Sequence, residues 1–465
     1  MYRQYMAQRL SHTSRSCGHG STMEILVKGG QIVTMDSNRR VIHGDLLVDG
    51  DRIAQVGGLA PAPARGVKRK VVDARDRLVI PGLVQTHVHL CQTLFRGQAD
   101  DLPLLDWLRR RIWPLEAAHD PDTLLASARL GCAELLQGAT TTILDMATVQ
   151  HTEAVFEAAA ESGIRAHIGK AMMDLGDGAP PALLERTEDS LLEAEALADA
   201  WHGAEDGRLN YAVAPRFVVS CSEALLKGAA QLADKRGLLV HTHAAENQDE
   251  VSLVIERTGL RNISYLDSIG LTNDRLMVAH GIWLDASEMD ILERSHTRVL
   301  HCPSSNLKLR SGIARVPEMR RRKISVSLGA DGAPCNNRLD AFREMNLAVL
   351  IQGVASESPL VAMDALEMAT IDGARALGLE SEIGSLEVGK KADLAILDLG
   401  QLRSWPQEGV SPSSILVYSA GASDVTLTIV DGRIVWDREN DTSNPSLMRE
   451  AAAAIHRIRA RAAMT

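Results

Sequence analysis

Short apolar runs that end in polar or glycine-containing loops recur along the middle of the chain. There are eight of them, at residues 78–89, 140–147, 164–171, 209–216, 238–246, 275–281, 298–305 and 324–331. Helical stretches fall between or after these runs, at residues 120–136, 152–162, 222–236 and 340–352. Strands that alternate with helices predict a parallel sheet with crossover helices. Eight such units predict a (β/α)8 TIM barrel over residues 81–384.

Both ends of the chain share a second pattern, in which short alternating segments are broken by Gly and Asp. These segments lie at residues 23–79, 392–399 and 424–437. Alternation of this kind is typical of strands joined by tight turns, and Asp49-Gly50 is a hairpin signal. We therefore predict that residues 23–80 and 385–440 together form a small β-sandwich domain.

The remaining segments lie outside these two patterns. Residues 1–22 are polar and show no usable period, so we expect a disordered extension or a misplaced start there. Residues 441–465 are predicted to form a C-terminal helix.

The composition excludes several classes of protein. The chain has 465 residues, 45% of them hydrophobic, which is enough for a barrel core and a second unit. No apolar stretch approaches the ~20 uncharged residues of a membrane-spanning helix, and the start lacks a signal-peptide pattern, so we expect a soluble, cytoplasmic protein. The net charge of -10 and the mixing of both signs argue against nucleic acid as a partner. Six cysteines without a C-x-x-C pair indicate neither a zinc ribbon nor a disulfide framework.

Side chains that could bind a metal lie at the ends of the predicted strands. His87 and His89 end the first run, and alternation along a strand lets both imidazoles point into the barrel mouth. Further candidates end runs five to eight, namely His241, His243, Glu246, His280, His301 and Asp331. Imidazoles with one carboxylate suit Zn²⁺ or Fe²⁺, and such a set with an open position is typical of a catalytic site. Each of these residues alone is more often a core histidine or a capping aspartate, but their common position favours a metal site.

The motifs that carry these residues resemble those of the amidohydrolase superfamily. The matching segments are residues 81–90, 241–246, 278–281, 301–309, 329–337 and 384–398. Residues 94–116 and 331–352 look like the branch of adenosine-type deaminases that act on 5'-deoxyadenosine, S-adenosylhomocysteine or methylthioadenosine. The resemblance implies an enzyme that removes ammonia from the adenine ring of such a nucleoside, a small-molecule substrate, and a homo-oligomer.

The same resemblance implies roles for the candidate residues. It assigns one divalent ion per subunit, Zn²⁺ first and Fe²⁺ as the alternative, to His87, His89, His243 and Asp331. Glu246 becomes the proton shuttle, His280 flanks the attacking water, and Asp331 also acts as a base. His241 is the less favoured ligand of its pair, because the H-x-x-E spacing from His243 is the one that the family uses. Run four contains no lysine that could bridge two ions, which favours a single metal.

The substrate side of the site is assigned to five residues, namely Trp107, Glu116, Lys170, Arg216 and Glu246, the last of which must reach the substrate ring. Trp107 and Glu116 fit the segment whose glutamate contacts the ribose hydroxyls in the resembled deaminases. Arg216 stands where methylthioadenosine deaminases have a histidine, and Lys170 stands where an arginine is expected. These two departures fit a 5'-deoxyadenosine-type enzyme better than one selective for the homocysteine tail.

Two alternatives remain open from the sequence. A chlorohydrolase or a guanine-type deaminase would use the same metal site, because the fold does not determine the leaving group. A non-catalytic barrel scaffold is the second alternative, although the complete set of candidate residues speaks against it.

Overall fold

The computed structural model describes residues 23–462 of the chain, so the predicted disordered extension at residues 1–22 lies outside the described residues. Within that range the strands are β1 (Met23–Val33), β2 (Val41–Asp49), β3 (Arg52–Val56), β4 (Lys68–Asp73), β5 (Leu78–Pro81), β6 (Leu83–His89), β7 (Thr140–Met146), β8 (Arg165–Gly169), β9 (Ala171–Met172), β10 (Leu209–Tyr211), β11 (Ala214–Pro215), β12 (Val240–Ala244), β13 (Leu276–His280), β14 (Arg298–His301), β15 (Val326–Leu328), β16 (Asp331–Gly332), β17 (Leu394–Leu397), β18 (Val425–Val430) and β19 (Arg433–Asp437).

Helices connect the strands in the same range. The longer ones are α1 (Pro121–Gln137), α2 (Thr152–Ser162), α3 (Thr187–Trp201), α4 (Glu223–Arg236), α5 (Gln248–Thr258), α6 (Asn262–Ser268), α7 (Ala286–Ser295), α8 (Ala341–Ala355), α9 (Ala362–Met368), α10 (Pro412–Tyr418) and α11 (Asn444–Arg461). Shorter helical segments are Leu104–Trp107, Trp113–Ala117, Ala204–Gly207, Pro303–Lys308, Val316–Arg321, Ala333–Asn336 and Ile371–Ala376, with 3-10 turns at Leu90–Phe95, Pro181–Leu183, Val218–Ser220, Leu402–Ser404 and Ala422–Asp424 and a π-helical turn at Leu108–Ile112. None of the helices within residues 23–462 combines the length and the apolar character needed to cross a membrane.

The barrel strands between β6 and β16 form a closed ring of parallel strands. Hydrogen-bonded neighbours run in the orders β10-β8-β7-β6-β16 and β12-β13-β14-β15. Bridges from Val213 to Val240 and from Phe217 to His243 join these two groups. β15 and β16 belong to one apolar run, so the ring closes at β6. The predicted (β/α)8 barrel is confirmed. Each of the eight predicted apolar runs contributes one strand position to the ring.

The first apolar run, residues 78–89, contains two strands that belong to different sheets. Its first part, β5, pairs with β1 and β17 outside the barrel, and only β6 enters the ring. Gly82 separates the two parts, and a Cβ there would lie 2.0 Å from Oγ1 of Thr141. The absence of a side chain at this position therefore lets the chain pass closely from one sheet into the other.

Strands from both chain ends form one sheet beside the barrel. Within the described residues its order is β19-β18-β17-β5-β1-β2-β3, with β4 paired to β1. Apolar side chains from both ends share one buried cluster, which includes Ile25, Val27, Leu46, Ile396 and Leu427. The pairing of the two ends explains why both carry the same sequence pattern. The two-layer packing of a β-sandwich stays a prediction.

A buried ion pair joins this sheet to the barrel. Arg165, at the start of β8, donates from Nε and Nη2 to both carboxylate oxygens of Asp393 at 2.9 and 3.1 Å. Its Nη2 also lies 2.5 Å from Oδ1 of Asp431. The side chains of Arg165 and Asp393 are 6% and 1% exposed.

Replacing Arg165 by alanine is expected to lower the free energy of unfolding by about 3–5 kcal/mol, because the buried carboxylate of Asp393 would lose its cation. Denaturant unfolding measures this change. The matched control is Arg186→Ala, since the Arg186 side chain is 79% exposed and lies 3.8 Å or more from its acidic neighbours. Equal stability of the two variants would contradict the role of the ion pair.

Candidate active site

The predicted metal-binding residues meet at the carboxyl ends of the barrel strands. His87 and His89 end β6, His243 lies in β12, His280 ends β13 and Asp331 begins β16. Because the strands are parallel, their carboxyl ends open on one face of the barrel, where catalytic groups of this fold lie. All five residues belong to one side-chain cluster there.

The distances within the cluster are short. Nε2 of His87 and Nε2 of His89 lie 3.4 and 3.3 Å from Oδ1 of Asp331. Nε2 of His243 lies 3.4 Å from Nε2 of His89. Candidate ligand atoms of His87, His89 and Asp331 lie within 4.8 Å of one another, as do those of His87, His243 and His280.

This donor set fits a divalent cation. Nε2 of His87 is fully buried and has no hydrogen-bond partner among the described residues, although it points at a carboxylate oxygen. Buried polar atoms are rarely left without a partner, so an orphaned nitrogen at this place indicates a missing ligand. Imidazole nitrogens with one carboxylate are the donors that Zn²⁺ and other borderline divalent ions accept.

Backbone carbonyls fix the orientation of two of the imidazoles. Nδ1 of His89 lies 2.7 Å from the carbonyl oxygen of Met146, and Nδ1 of His243 lies 2.7 Å from that of Arg216. A carbonyl can only accept, so each Nδ1 carries the proton and each Nε2 is left free to ligate.

Glu246 and His280 form the next part of the site. Nε2 of His280 lies 3.5 Å from Oε2 of Glu246 and 3.9 Å from Oδ2 of Asp331. Burial raises the pKa of Glu246 to about 7. Ser311 donates to Oε1 of Glu246 at 3.3 Å, and Nδ1 of His280 lies 2.8 Å from Oδ1 of Asn306. Glu246 is therefore poised to exchange a proton near neutral pH.

Asp331 is held as an anion. Burial opposes its ionisation, but the neighbouring His87 and His89 outweigh burial and hold the pKa of Asp331 well below its usual value. The hydroxyl of Ser305 donates to Oδ2 at 2.6 Å, and the backbone N–H of Gly332 donates to Oδ1 at 2.7 Å. An ionised carboxylate in this position could bind a cation or accept a proton, and both roles of Asp331 stay predictions.

The backbone at this site is strained at two positions. His280 has φ of 73° and Asp331 has φ of 62°, both in the left-handed region that residues with a Cβ seldom adopt. Strain of this kind is commonly retained where function requires a particular side-chain direction. The alternating pattern of the strands in the sequence does not predict the left-handed backbone at His280 or Asp331.

A pocket opens onto the cluster. Its polar lining comprises His89, Gln92, Arg216, His243, Glu246, His280 and Asp331, and its apolar lining comprises Leu104, Trp107, Leu108, Phe217 and Leu309. This mixture of apolar side chains with a few convergent polar groups is typical of sites for small molecules. The predicted substrate residues Trp107 and Arg216 are therefore brought to the site together with the metal-binding cluster.

Glu116 lies behind Arg216 rather than on the pocket surface. Nη1 and Nη2 of Arg216 donate to its two carboxylate oxygens at 2.6 and 3.1 Å, and the Glu116 side chain is 1% exposed. Gln92 donates from Nε2 to the same carboxylate at 2.8 Å. In this arrangement Glu116 fixes the guanidinium group of Arg216. The contact of Glu116 with the ribose stays a prediction.

Gln92 links two parts of the site and is not among the residues that the sequence predicted. Besides its bond to Glu116, its Oε1 packs against Gly332, where a Cβ would lie only 2.1 Å away. A glutamine three residues after a predicted metal ligand carries no sequence signal of its own, because its partners are distant in the chain.

The structure does not bring Lys170 into this group. Its ammonium is fully buried, lies 2.6 and 2.9 Å from the carboxylates of Glu185 and Glu193, and donates to the carbonyl oxygen of Val149 at 2.5 Å. Lys170 does not line the pocket described above. Because its donors are engaged by these partners, its contacts are those of a buried structural ion pair.

Comparison with known proteins extends these observations. The model of the "Amidohydrolase family" matches residues 78–435. The chain is 41% identical over 434 residues to a 5'-deoxyadenosine deaminase of Methanothermobacter thermautotrophicus, covering 92% of this chain and 97% of the relative. It is 39% identical over 424 residues to a 5-methylthioadenosine/S-adenosylhomocysteine deaminase of Thermococcus onnurineus, covering 90% and 95%. An adenosine deaminase from Xanthomonas campestris, solved with bound zinc, superposes with a TM-score of 0.86 at 33% identity, covering 94% of this chain and 99% of that one.

Proposed function

The chain belongs to the amidohydrolase family, and we propose that it deaminates the adenine ring of 5'-deoxyadenosine or a related 5'-substituted adenosine. The main observation behind this proposal is that two buried carboxylates, Glu246 and Asp331, flank His280 at the mouth of the barrel, where the predicted metal ligands converge. The names of the relatives that match over most of the chain support a nucleoside deaminase.

The proposed metal site holds one divalent ion per subunit. His87, His89, His243 and Asp331 would hold it, with Zn²⁺ expected first and Fe²⁺ as the alternative. When bound, such an ion lowers the pKa of a coordinated water toward ~7 and so supplies a nucleophile at neutral pH. The zinc in the related adenosine deaminase structure supports this proposal.

Three side chains would move the protons of the reaction. Asp331 takes a proton from the attacking water, whose oxygen adds to the carbon that bears the amino group. Glu246 gives its proton to the adjacent ring nitrogen, which removes the aromatic resistance to that addition. His280 holds the attacking oxygen by a hydrogen bond. The amino group then takes the proton that Asp331 holds, the carbon–nitrogen bond breaks, and ammonia leaves. The hydroxyl proton of the adduct returns to Glu246, so that the keto product forms and both carboxyl groups regain their starting protonation states.

The lining of the pocket favours an uncharged 5'-group. Among the described residues that line the pocket, Arg216 is the one cationic side chain besides the histidines. Both Nη atoms of Arg216 donate to Glu116. The carboxylate of S-adenosylhomocysteine would meet there an arginine whose charge is already paired with Glu116, and no lysine. A buried anion without a partner binds poorly.

We therefore expect kcat/KM for 5'-deoxyadenosine to exceed that for S-adenosylhomocysteine by about tenfold or more, which corresponds to one lost charge-assisted hydrogen bond. Ammonia release measures both, with methylthioadenosine and adenosine as matched uncharged substrates. An equal or higher value for S-adenosylhomocysteine would contradict the assignment of the 5'-group.

The same assay tests the alternatives. Guanine and a chlorotriazine belong in the panel, because a guanine-type deaminase or a chlorohydrolase would use the same polar groups. The names of the relatives reported above favour the adenosine substrates. A preparation that binds metal but releases neither ammonia nor chloride from the whole panel would favour the scaffold alternative.

A further inference from the structure

The imidazole of His241 lies inside the active-site cluster but has no part in the reaction described above. It is fully buried on β12. Its Nε2 lies 2.7 Å from Nδ1 of His87, and the two rings are perpendicular with centroids 4.9 Å apart. This is the contact of a hydrogen bond between two imidazoles.

The direction of that hydrogen bond decides what His87 can do. A neutral imidazole carries one proton, so Nε2 of His87 can offer its lone pair to a cation only when the proton is on Nδ1. Nδ1 then donates, and Nε2 of His241 must accept. With the opposite direction, the proton of His87 would sit on Nε2, the atom that faces Asp331 at 3.4 Å.

The other histidines of the proposed metal site do not share this ambiguity. Nδ1 of His89 and Nδ1 of His243 face carbonyl oxygens, which never donate. Only His87, among the described ligand candidates, depends on a partner that could act in either direction.

The imidazole of His241 has no other hydrogen bond within residues 23–462. Its Nδ1 is buried and has no hydrogen-bond partner. A buried polar group without a hydrogen bond lowers the stability of the folded protein. A contribution to stability alone therefore does not explain a histidine at position 241. The one bond that the ring does make is to His87.

We propose that His241 is a positioning residue that accepts a hydrogen bond from Nδ1 of His87 and so keeps Nε2 of His87 free to ligate the divalent ion. This inference rests on the proposed function for the presence of the ion. It gives the first histidine of the H-x-H pair on β12 a role distinct from that of His243, the predicted ligand.

The test compares two substitutions at position 241 by zinc affinity. His241→Leu removes the acceptor, whereas His241→Gln retains one, because the amide oxygen can reach the position of Nε2. Partners of this kind typically contribute about 10- to 100-fold to metal affinity. We expect His241→Leu to weaken zinc binding by that factor and His241→Gln to stay within about threefold of the wild type. Equilibrium transfer of zinc from the loaded enzyme to a chromophoric chelator measures this without using turnover.

His167→Leu is the matched control. His167 is also a buried histidine on a barrel strand, β8, and its Nδ1 has no hydrogen-bond partner in the described chain. Its substitution is expected to leave zinc affinity unchanged. If His241→Leu does not fold, His241→Phe keeps a ring without an acceptor and answers the same question.

The outcomes separate this inference from the proposed function. Wild-type affinity in the variant without an acceptor would overturn the inference, as would equal losses in that variant and in His241→Gln. Equal losses in His167→Leu and His241→Leu would show a general packing effect and would also overturn it. A wild-type enzyme that is active without any bound metal would instead contradict the proposed function.

Discussion

Replacing Glu246 by glutamine is expected to lower turnover by about 10²- to 10⁴-fold and to leave the metal content unchanged. The amide keeps the size of the side chain and can still accept from Ser311, but it cannot deliver a proton to the substrate ring. Steady-state ammonia release and elemental analysis of the same preparation measure the two effects.

Glu288→Gln is the matched control for this substitution. Glu288 is also fully buried, but it caps α7 and binds Arg261, away from the pocket. The control is expected to lose stability and to keep its turnover. If Glu246→Gln retained more than about a tenth of the wild-type rate, general acid catalysis by this residue would be excluded.

Removing the divalent ion with a chelator is expected to lower turnover by roughly 10²-fold or more, because the nucleophile at neutral pH depends on it. About one equivalent of Zn²⁺ per subunit should restore the rate. His89→Ala should prevent this recovery, whereas His119→Ala should not. His119 is a buried histidine that is bound to the carbonyl oxygen of Cys91 and to Thr123, outside the cluster. Two tightly held ions per chain, or full activity without any, would contradict a single-metal site.

The barrel and its polar strand ends could be predicted because both depend on local pattern. Apolar runs locate parallel strands, and residues that follow such runs come to one face of a barrel. His87, His89, His243 and Asp331 therefore come together in the structure as the sequence indicated.

Contacts between residues far apart in the chain could not be predicted in this way. Glu116 and Arg216 are separated by 100 positions, and nothing in either segment shows that the carboxylate binds the guanidinium. Lys170 likewise gains partners, such as Glu185, that only the folded chain brings to it. The division of the first apolar run depends on the close approach of Gly82 to Thr141, which a periodicity argument does not contain.

The sheet that both chain ends share has a consequence for synthesis on the ribosome. β5 ends at Pro81, and its partner β17 begins only at Leu394. At roughly 5–20 residues per second, the edge of β5 would wait about 15 to 60 s for that partner to emerge. Unpaired apolar strands are prone to associate with other chains during such an interval. The nascent chain should therefore depend on holding chaperones most strongly while the barrel is being translated, and this dependence should end when β17 and β18 leave the exit tunnel.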